Sequence, residues 1–126
     1  RIMSLDITFY SKNGEAPATI EFSEQFYEKL IKSDFAEIGK PHKIQVAFDE
    51  EKTEIDAIDL DKGTITNRQR LIDFLKEVIV EESLKMIEKL GESPSKQEYK
   101  ETTSTLRIFQ EILKCLNNRE YSYLAY

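Results

Sequence analysis

Residues 66–91 read TNRQRLIDFLKEVIVEESLKMIEKLG, and they decide the fold class because they predict one long amphipathic helix. The segment Thr66 to Gln69 has the form of a capping box, in which the Thr hydroxyl accepts a hydrogen bond from the third backbone amide of the helix. Apolar residues then recur at steps of three and four residues: Leu71, Leu75, Val78, Ile79, Met86 and Leu90. Five further apolar residues widen this stripe: Ile72, Phe74, Val80, Leu84 and Ile87. A stripe this wide predicts burial against both a sheet and a second helix. Gly91 supplies a left-handed stop.

A second helix is predicted a few residues after Gly91. It starts at Ser93-Pro94 or at the overlapping capping box Ser95 to Glu98, and it ends at Asn117-Asn118. Its predicted buried face consists of Tyr99, Leu106, Phe109, Leu113 and Leu116, with Ile108, Ile112 and Cys115 beside it. The two helices should form an antiparallel helical hairpin.

Alternating residues predict strands on both sides of the helical hairpin. Upstream, Leu5, Ile7 and Phe9 alternate with polar residues, and a polar loop from Ser11 to Pro17 follows. Ser23 should be the N-cap of a short helix, with Phe22 and Tyr27 in contact as a hydrophobic staple, and the helix should fray or turn near Asp34 to Gly39. Downstream, the aromatic content and the alternation of residues 121–126 predict a final strand, which needs a place at an edge of the sheet or between two other strands.

Between the short and the long helix, a strand hairpin is predicted. Ile44, Val46 and Phe48 alternate, the alternation continues through residues 54–60, and the charged residues 49–52 form the tip. The order is therefore β-α-β-β-α-α-β. We expect residues 1–126 to form a single α+β domain with a small, mostly antiparallel sheet packed on one face by helices, with the strand order left open.

Composition limits the class of protein. The chain has 126 residues, of which 40% are hydrophobic and 33% charged, and its formal net charge is −6. No apolar run approaches the roughly 20 residues of a membrane span, and the sequence shows no charged-then-apolar signal peptide. We expect Met3 to be the natural start, and Cys115 is the single cysteine. These features predict a cytoplasmic protein and disfavour nucleic acid and membranes as partners, because a negative surface repels both.

The densest chemical feature is the acidic segment of residues 49–62. Its acids are Asp49, Glu50, Glu51, Glu54, Asp56, Asp59 and Asp61, and with Lys52 and Lys62 they leave five net negative charges. One interpretation is an electronegative ridge that steers a basic protein partner. The other is a solvated hairpin whose charges maintain solubility and protect a sheet edge.

The terminal strand carries the second candidate feature, the tyrosines Tyr121, Tyr123 and Tyr126. Tyrosine is enriched among interface anchors because its rigid ring buries much area at low entropic cost. Alternatively, Tyr121 and Tyr123 lie on one strand face and pack over the helices. Both interpretations are open at the level of sequence.

Motifs for catalysis and cofactors are weak. Residues 59–66 resemble a calcium loop, but the glycine comes one position early and the carboxylate expected at the fifth position of the loop is missing. His42 stands among cations with no local partner for catalysis, Cys115 falls within the apolar periodicity of a helix, and the four glycines are dispersed. The sequence therefore predicts no catalytic, metal or cofactor residues.

By elimination, the sequence favours a non-enzymatic protein-binding module. A specific form is a small acidic inhibitor or immunity-type protein that neutralises a basic toxin or nuclease, with the seven acids and three tyrosines as binding residues. One alternative is a small-molecule-binding or enzymatic domain whose site is assembled from residues distant in sequence. Another is an oligomeric regulatory or structural module in which the terminal strand pairs between copies.

Overall fold

In the computed structural model, which describes residues 6–22, 24–48, 50–91 and 95–126, the chain forms five strands, three helices and a 3₁₀ turn. Their bounds are β1 (Asp6–Ser11), β2 (Ala18–Glu21), α1 (Glu24–Ile31), a 3₁₀ turn (Asp34–Glu37), β3 (His42–Phe48), β4 (Glu51–Asp59), α2 (Asn67–Leu90), α3 (Lys96–Asn117) and β5 (Tyr121–Ala125). Met3, the Ser23 cap, Asp49 and the Ser93-Pro94 start lie outside the described residues.

The five strands form one antiparallel sheet in the order β2-β1-β5-β4-β3. The last strand along the chain, β5, therefore occupies the central slot, between β1 and β4. It joins two hairpins, β1–β2 and β3–β4, that share no other sheet hydrogen bonds. The predicted α+β class with a mostly antiparallel sheet is confirmed.

The helices cover one face of the sheet. Ile7 and Phe9 of β1, Ile58 of β4 and Leu124 of β5 are fully buried and point into a single core. The helices contribute their own buried side chains to the same core: Leu30, Leu71, Ile72, Leu75, Phe109, Ile112 and Leu116. On the other face, positions such as Thr8 and Tyr10 remain half exposed, so the predicted one-sided packing is confirmed.

The helix boundaries follow local chemistry. The Thr66 hydroxyl accepts a hydrogen bond from the Gln69 amide at 3.1 Å, which satisfies one free donor at the start of α2. Gly91 ends α2 with φ 51°, a left-handed conformation. The Gln69 side chain bonds Asp73 instead of returning to the cap, so only half of the predicted capping box forms. Phe22 and Tyr27 stack with ring centroids 6.0 Å apart, which confirms the hydrophobic staple.

Three expectations about the elements are wrong. Strand β2 was not expected, since its four residues are too few to show alternation. The β3–β4 tip is shorter than expected, because Phe48 pairs with Glu51 and both Glu51 and Lys52 belong to β4. Exposure also differs, because four residues assigned to buried faces are more than half exposed: Val80, Leu84, Ile87 and Tyr99.

None of the helices in the described part of the chain combines the length and the apolar content needed to span a bilayer.

Candidate functional site

The β3–β4 hairpin carries most of the predicted acidic site. Seven residue pairs join its two strands, from His42 opposite Ala57 to Phe48 opposite Glu51. Only two pairs, Ile58 with Leu124 and Asp59 with Tyr123, connect β4 to β5. Residues 51–57 of β4 therefore have β3 as their sheet partner, and the hairpin is an arm attached to the sheet at its base.

Carboxylates on the arm lie on both of its faces. Glu51, Glu54 and Asp56 are exposed, and successive side chains of a strand point to opposite sides. Glu54 and Asp56 share a face with Lys43, whose Nζ lies 3.6 Å from Glu54 Oε1. Glu51 lies on the other face, and Glu50 is in the turn with φ 66°. The charge is thus partly neutralised along the arm by Lys43, which lies directly opposite Asp56, and it is least balanced at Glu50 and Glu51.

Two of the predicted partner-binding acids have a structural role at the base of the arm. Asp59 Oδ1 accepts a hydrogen bond from the Asp61 amide at 3.0 Å, which closes the turn after β4. Asp61 Oδ1 lies 3.4 Å from Nε of Arg68, a residue that is 7% exposed. These contacts shape the β4–α2 connection. Asp59 and Asp61 therefore stabilise a turn and a helix start, whereas the described acids of the arm make no such contacts.

Arg68 is a residue whose role the sequence did not predict. Its guanidinium donates to the carbonyl oxygens of Leu116 at 2.6 Å, of Asn118 at 3.2 Å and of Tyr121. The first of these carbonyls belongs to the last turn of α3, where no helical amide is available to it. Arg68 thereby ties the start of α2 to the end of α3 and the beginning of β5. Within a capping-box pattern, an arginine gives no signal that its side chain will be buried.

The neighbouring Asn67 completes this junction. Its Nδ2 donates to the Asp59 carbonyl at 2.9 Å, and its side chain is 8% exposed. Gly39, with φ 76°, lies against it, and a Cβ atom there would come within 2.7 Å of the Ile58 side chain. Both the backbone angle and the close approach require glycine at position 39.

The three candidate tyrosines do not form one surface. A bulge in β5 shifts the register, because Tyr10 pairs with Tyr123 but Ser11 pairs with Tyr121. Tyr121 consequently packs on Phe9 of the core, with centroids 5.9 Å apart. Tyr123 lies beneath Lys12, whose Nζ is 5.6 Å from the ring centroid. The expectation that Tyr121 and Tyr123 share a face is therefore wrong.

Tyr126 is also part of the packed body. Its ring meets Phe35 edge to face, with centroids 5.5 Å apart. Burial, followed by the nearby Tyr27, raises the pKa of its hydroxyl. Of the three tyrosines, Tyr123 is the one that does not pack against the core.

The loop between β1 and β2 bends toward the arm and forms a small cleft of about 180 Å³. The cleft is lined by Tyr10, Ser11, Glu15, Pro17, Val46, Ala47, Glu51, Thr53 and Ile55. A hydrogen bond with the Glu120 carboxyl, together with the charge of that group, raises the pKa of Glu15. The cleft is too small for a drug-sized molecule, since sites for such ligands occupy roughly 300–1,000 Å³.

A larger groove of about 320 Å³ lies between α1, the 3₁₀ turn, α2 and α3; we call it the helical groove. Its apolar lining is Leu30, Phe74, Val78 and Phe109, and its polar lining is Ser33, Asp34, Glu77, Glu81, Glu82 and Lys85. Among the lining residues that the structure describes, four carboxylates thus accompany one cation along an apolar floor. These residues come from four elements, so no local sequence pattern could identify the groove.

The remaining titratable residues considered from sequence lie apart from the clefts. His42 is exposed at the start of β3. Cys115 is half buried, and burial, followed by the charge of Glu111, raises the pKa of its thiol. Within the described ranges, no three His, Cys, Asp or Glu side chains lie close enough together to hold a metal ion.

Comparison with known proteins gives no further guide to the site: no family model, no curated protein and no solved structure matches this chain.

Proposed function

We propose that this protein is a non-enzymatic binding module whose acidic β3–β4 arm docks on a basic surface of another protein. The observation that carries the proposal is that Glu50, Glu51 and Asp56 are exposed on the arm and bond to no other side chain among the described residues. Carboxylates without a structural partner contribute little to folding and are available to an opposite charge.

The arm also has a shape suited to docking. It is held to the sheet by the two β4–β5 pairs and braced by the β1–β2 loop, where Gly14 lies near the Ala47 carbonyl. A braced two-stranded arm presents its charges in a fixed order, so less conformational entropy is lost on binding. Complementary charges across such an interface raise the association rate and the selectivity for the partner.

The chemical class of the partner is a protein with a basic surface, and the finer form of the proposal is an inhibitor of a basic toxin or nuclease. An acidic surface covering the basic substrate cleft of such an enzyme would exclude its substrate. In either form, binding is expected to weaken as salt increases, because screening shortens the range of exposed charges to about 8–10 Å at physiological ionic strength.

The proposal is tested by affinity capture from a lysate of the source organism at low and high salt. The baits are the native protein, the arm variant Glu50→Lys/Glu51→Lys/Asp56→Lys and the control variant Glu21→Lys/Glu28→Lys/Glu111→Lys, which changes the net charge equally at exposed sites outside the arm. The expected result is one basic protein that the native and control baits retain, that salt releases and that the arm variant loses. Retention by all three baits would exclude the arm as the docking surface.

An oligomer formed through β5 requires more than simple edge pairing. Both edges of β5 are already hydrogen bonded, to β1 and to β4. Pairing between copies through this strand would require it to leave its own sheet and enter another, as in domain swapping. The molar mass of the purified protein at several concentrations tests that possibility.

A further inference from the structure

We propose that the helical groove is a second docking site, distinct from the arm, and that it takes a basic amphipathic helical segment of another protein. The inference goes beyond the proposed function, because it uses different elements and a different mode of recognition. Its basis is the combination of an apolar floor with a carboxylate-rich rim in one open groove.

The floor is suited to apolar anchor side chains. Leu30 and Phe109 are almost completely buried and close the bottom of the groove, while Phe74 and Val78 are half exposed in its wall. A volume of about 320 Å³ is at the lower end of the range for sites that enclose a small molecule. A few side chains from successive turns of a helix would occupy it, as in helix-in-groove recognition, where anchors recur at three- and four-residue steps.

The rim selects the charge of the occupant. On α2, Glu77 and Glu81 are exposed and one turn apart, so they form a row along one side of the groove. Asp34 contributes an exposed carboxylate from the 3₁₀ turn. Cationic side chains beside the apolar anchors of an incoming helix would therefore meet carboxylates, whereas an acidic helix would be repelled.

Lys85, which pairs with Glu82, opposes this charge preference. The Glu82 side chain is only 13% exposed and lies 3.8 Å from Lys85 Nζ, and Lys85 is 66% exposed. Lys85 is the cation among the described residues that line the groove, and it neutralises part of the site. Removing its charge should increase the attraction for a basic segment, a gain that damage to the fold cannot imitate.

The test uses a dye-labelled helical peptide of roughly 15 residues, a length at which helices become stable. It contains Leu at three- and four-residue steps and Lys elsewhere. Two further peptides serve as controls, one with Glu in place of Lys and one with the same composition but with Leu distributed around the helix. Fluorescence anisotropy measures binding to the full chain at physiological salt. The Leu/Lys helix should bind more tightly than both control peptides.

Variants then locate the site. Glu77→Lys/Glu81→Lys should weaken binding about tenfold, because each change converts an attraction into a repulsion, and Lys85→Gln should tighten it about threefold. The charge-matched pair Glu28→Lys/Glu111→Lys and the arm pair Glu51→Lys/Asp56→Lys should leave the affinity within about twofold. Amide chemical shifts should change mainly at residues 30–34 and 74–85.

Three outcomes would contradict the proposal that the helical groove binds a basic amphipathic helix. Equal weakening by all charge-reversed pairs would mean that the peptide senses only net charge. Weakening confined to the arm pair would transfer the basic segment to the arm and leave the first proposal standing. Equal affinity for the ordered and the distributed Leu peptides would show that the apolar floor is not used.

Discussion

Arg68 is the residue at which we expect a single substitution to cost most stability. Arg68→Met should lower the free energy of unfolding by about 3 kcal/mol or more, because the Leu116 carbonyl loses its donor in a buried place and the Asn118 and Tyr121 carbonyls each lose a donor in a part-buried place. Urea denaturation measures the loss. Arg70→Met, at an exposed position of the same helical turn, should change stability by less than about 0.5 kcal/mol. Equal effects would mean that the guanidinium contacts contribute no net stability.

Glu50 is held in a strained backbone conformation at the tip of the arm. Its φ of 66° is in the left-handed region, which disfavours side chains with a Cβ atom. Glu50→Gly should therefore raise the free energy of unfolding by about 1 kcal/mol. Glu50→Gln, which removes the charge and retains the Cβ atom, separates the two effects. If the Gln variant gains as much as the Gly variant, the gain comes from charge and the strain argument fails.

Cys115 should make stability depend on pH in alkaline solution. Its pKa is raised in the folded state by burial, so the unfolded thiol ionises first, near its ordinary value of 9.0. The stability it contributes is fully present below pH 9 and falls as the pH rises toward the folded pKa. Tyr126, whose pKa is also raised, acts in the same direction above pH 10.

Urea denaturation between pH 8 and pH 10 of the native protein and of Cys115→Ser tests this dependence. The variant should lose less stability across this interval, since one of the ionising groups is absent. Identical slopes would show that burial of the thiol does not affect its ionisation.

Residue-level roles were the least predictable from sequence. The acidic segment predicts one continuous surface, but in the structure Asp61 pairs with Arg68 at the start of α2, and Asp59 closes a turn. Likewise, one extra residue in β5 moves Tyr121 into contact with the core. The place of Tyr121 depends on β1, more than a hundred residues away in the chain. Asp61 is only seven residues from Arg68, but Arg68 is itself fixed by carbonyls near the end of α3, about fifty residues away, and the local pattern carries no information about these contacts.

At the scale of elements, the outer half of α2 should tolerate polar substitution. Val80, Leu84 and Ile87 are 59%, 59% and 67% exposed. Changing each of them to Gln should alter the free energy of unfolding by no more than about 0.5 kcal/mol, because little apolar area is buried there. Leu75→Ala, at a fully buried position of the same helix, should cost about 2–5 kcal/mol.

Denaturant unfolding of the single variants provides the comparison. A cost above about 1 kcal/mol for any of the three exposed positions would show that the stripe is covered in solution. In that case stability should also depend on protein concentration, as it does when folding is coupled to self-association.

The helices were the most predictable elements, and the residues at their ends show why. Thr66, Gly91 and Asn117 mark helix ends through interactions within one or two turns, so their signals are local. The width of the apolar stripe on α2 was misleading, because which residues are covered depends on where α3 and the sheet end. Strand β2 has four residues, and a pattern of period two needs a longer segment to be distinguished from a loop.

At the scale of the whole molecule, β5 holds the two halves of the sheet together. A chain that ends at Glu120 lacks the strand between β1 and β4 and loses the fully buried Leu124. We expect this chain to show no cooperative unfolding transition by circular dichroism in urea and to lose its resolved amide spectrum. A Leu124→Ala variant of the full chain should be less stable but still cooperative. A cooperative transition in the shortened chain would show that the two hairpins fold without their connecting strand.

The central place of β5 also sets the time at which this protein can fold during synthesis. Chains emerge from the ribosome at about 5–20 residues per second, and domains often begin to fold as they appear. Here β1 pairs early with β2 but finds its second partner, β5, only after more than a hundred further residues have been translated, and pairing at such distances is slow. Until Ala125 has emerged, the nascent chain carries two separate hairpins with open edges. This interval is when we expect it to depend most on chaperones.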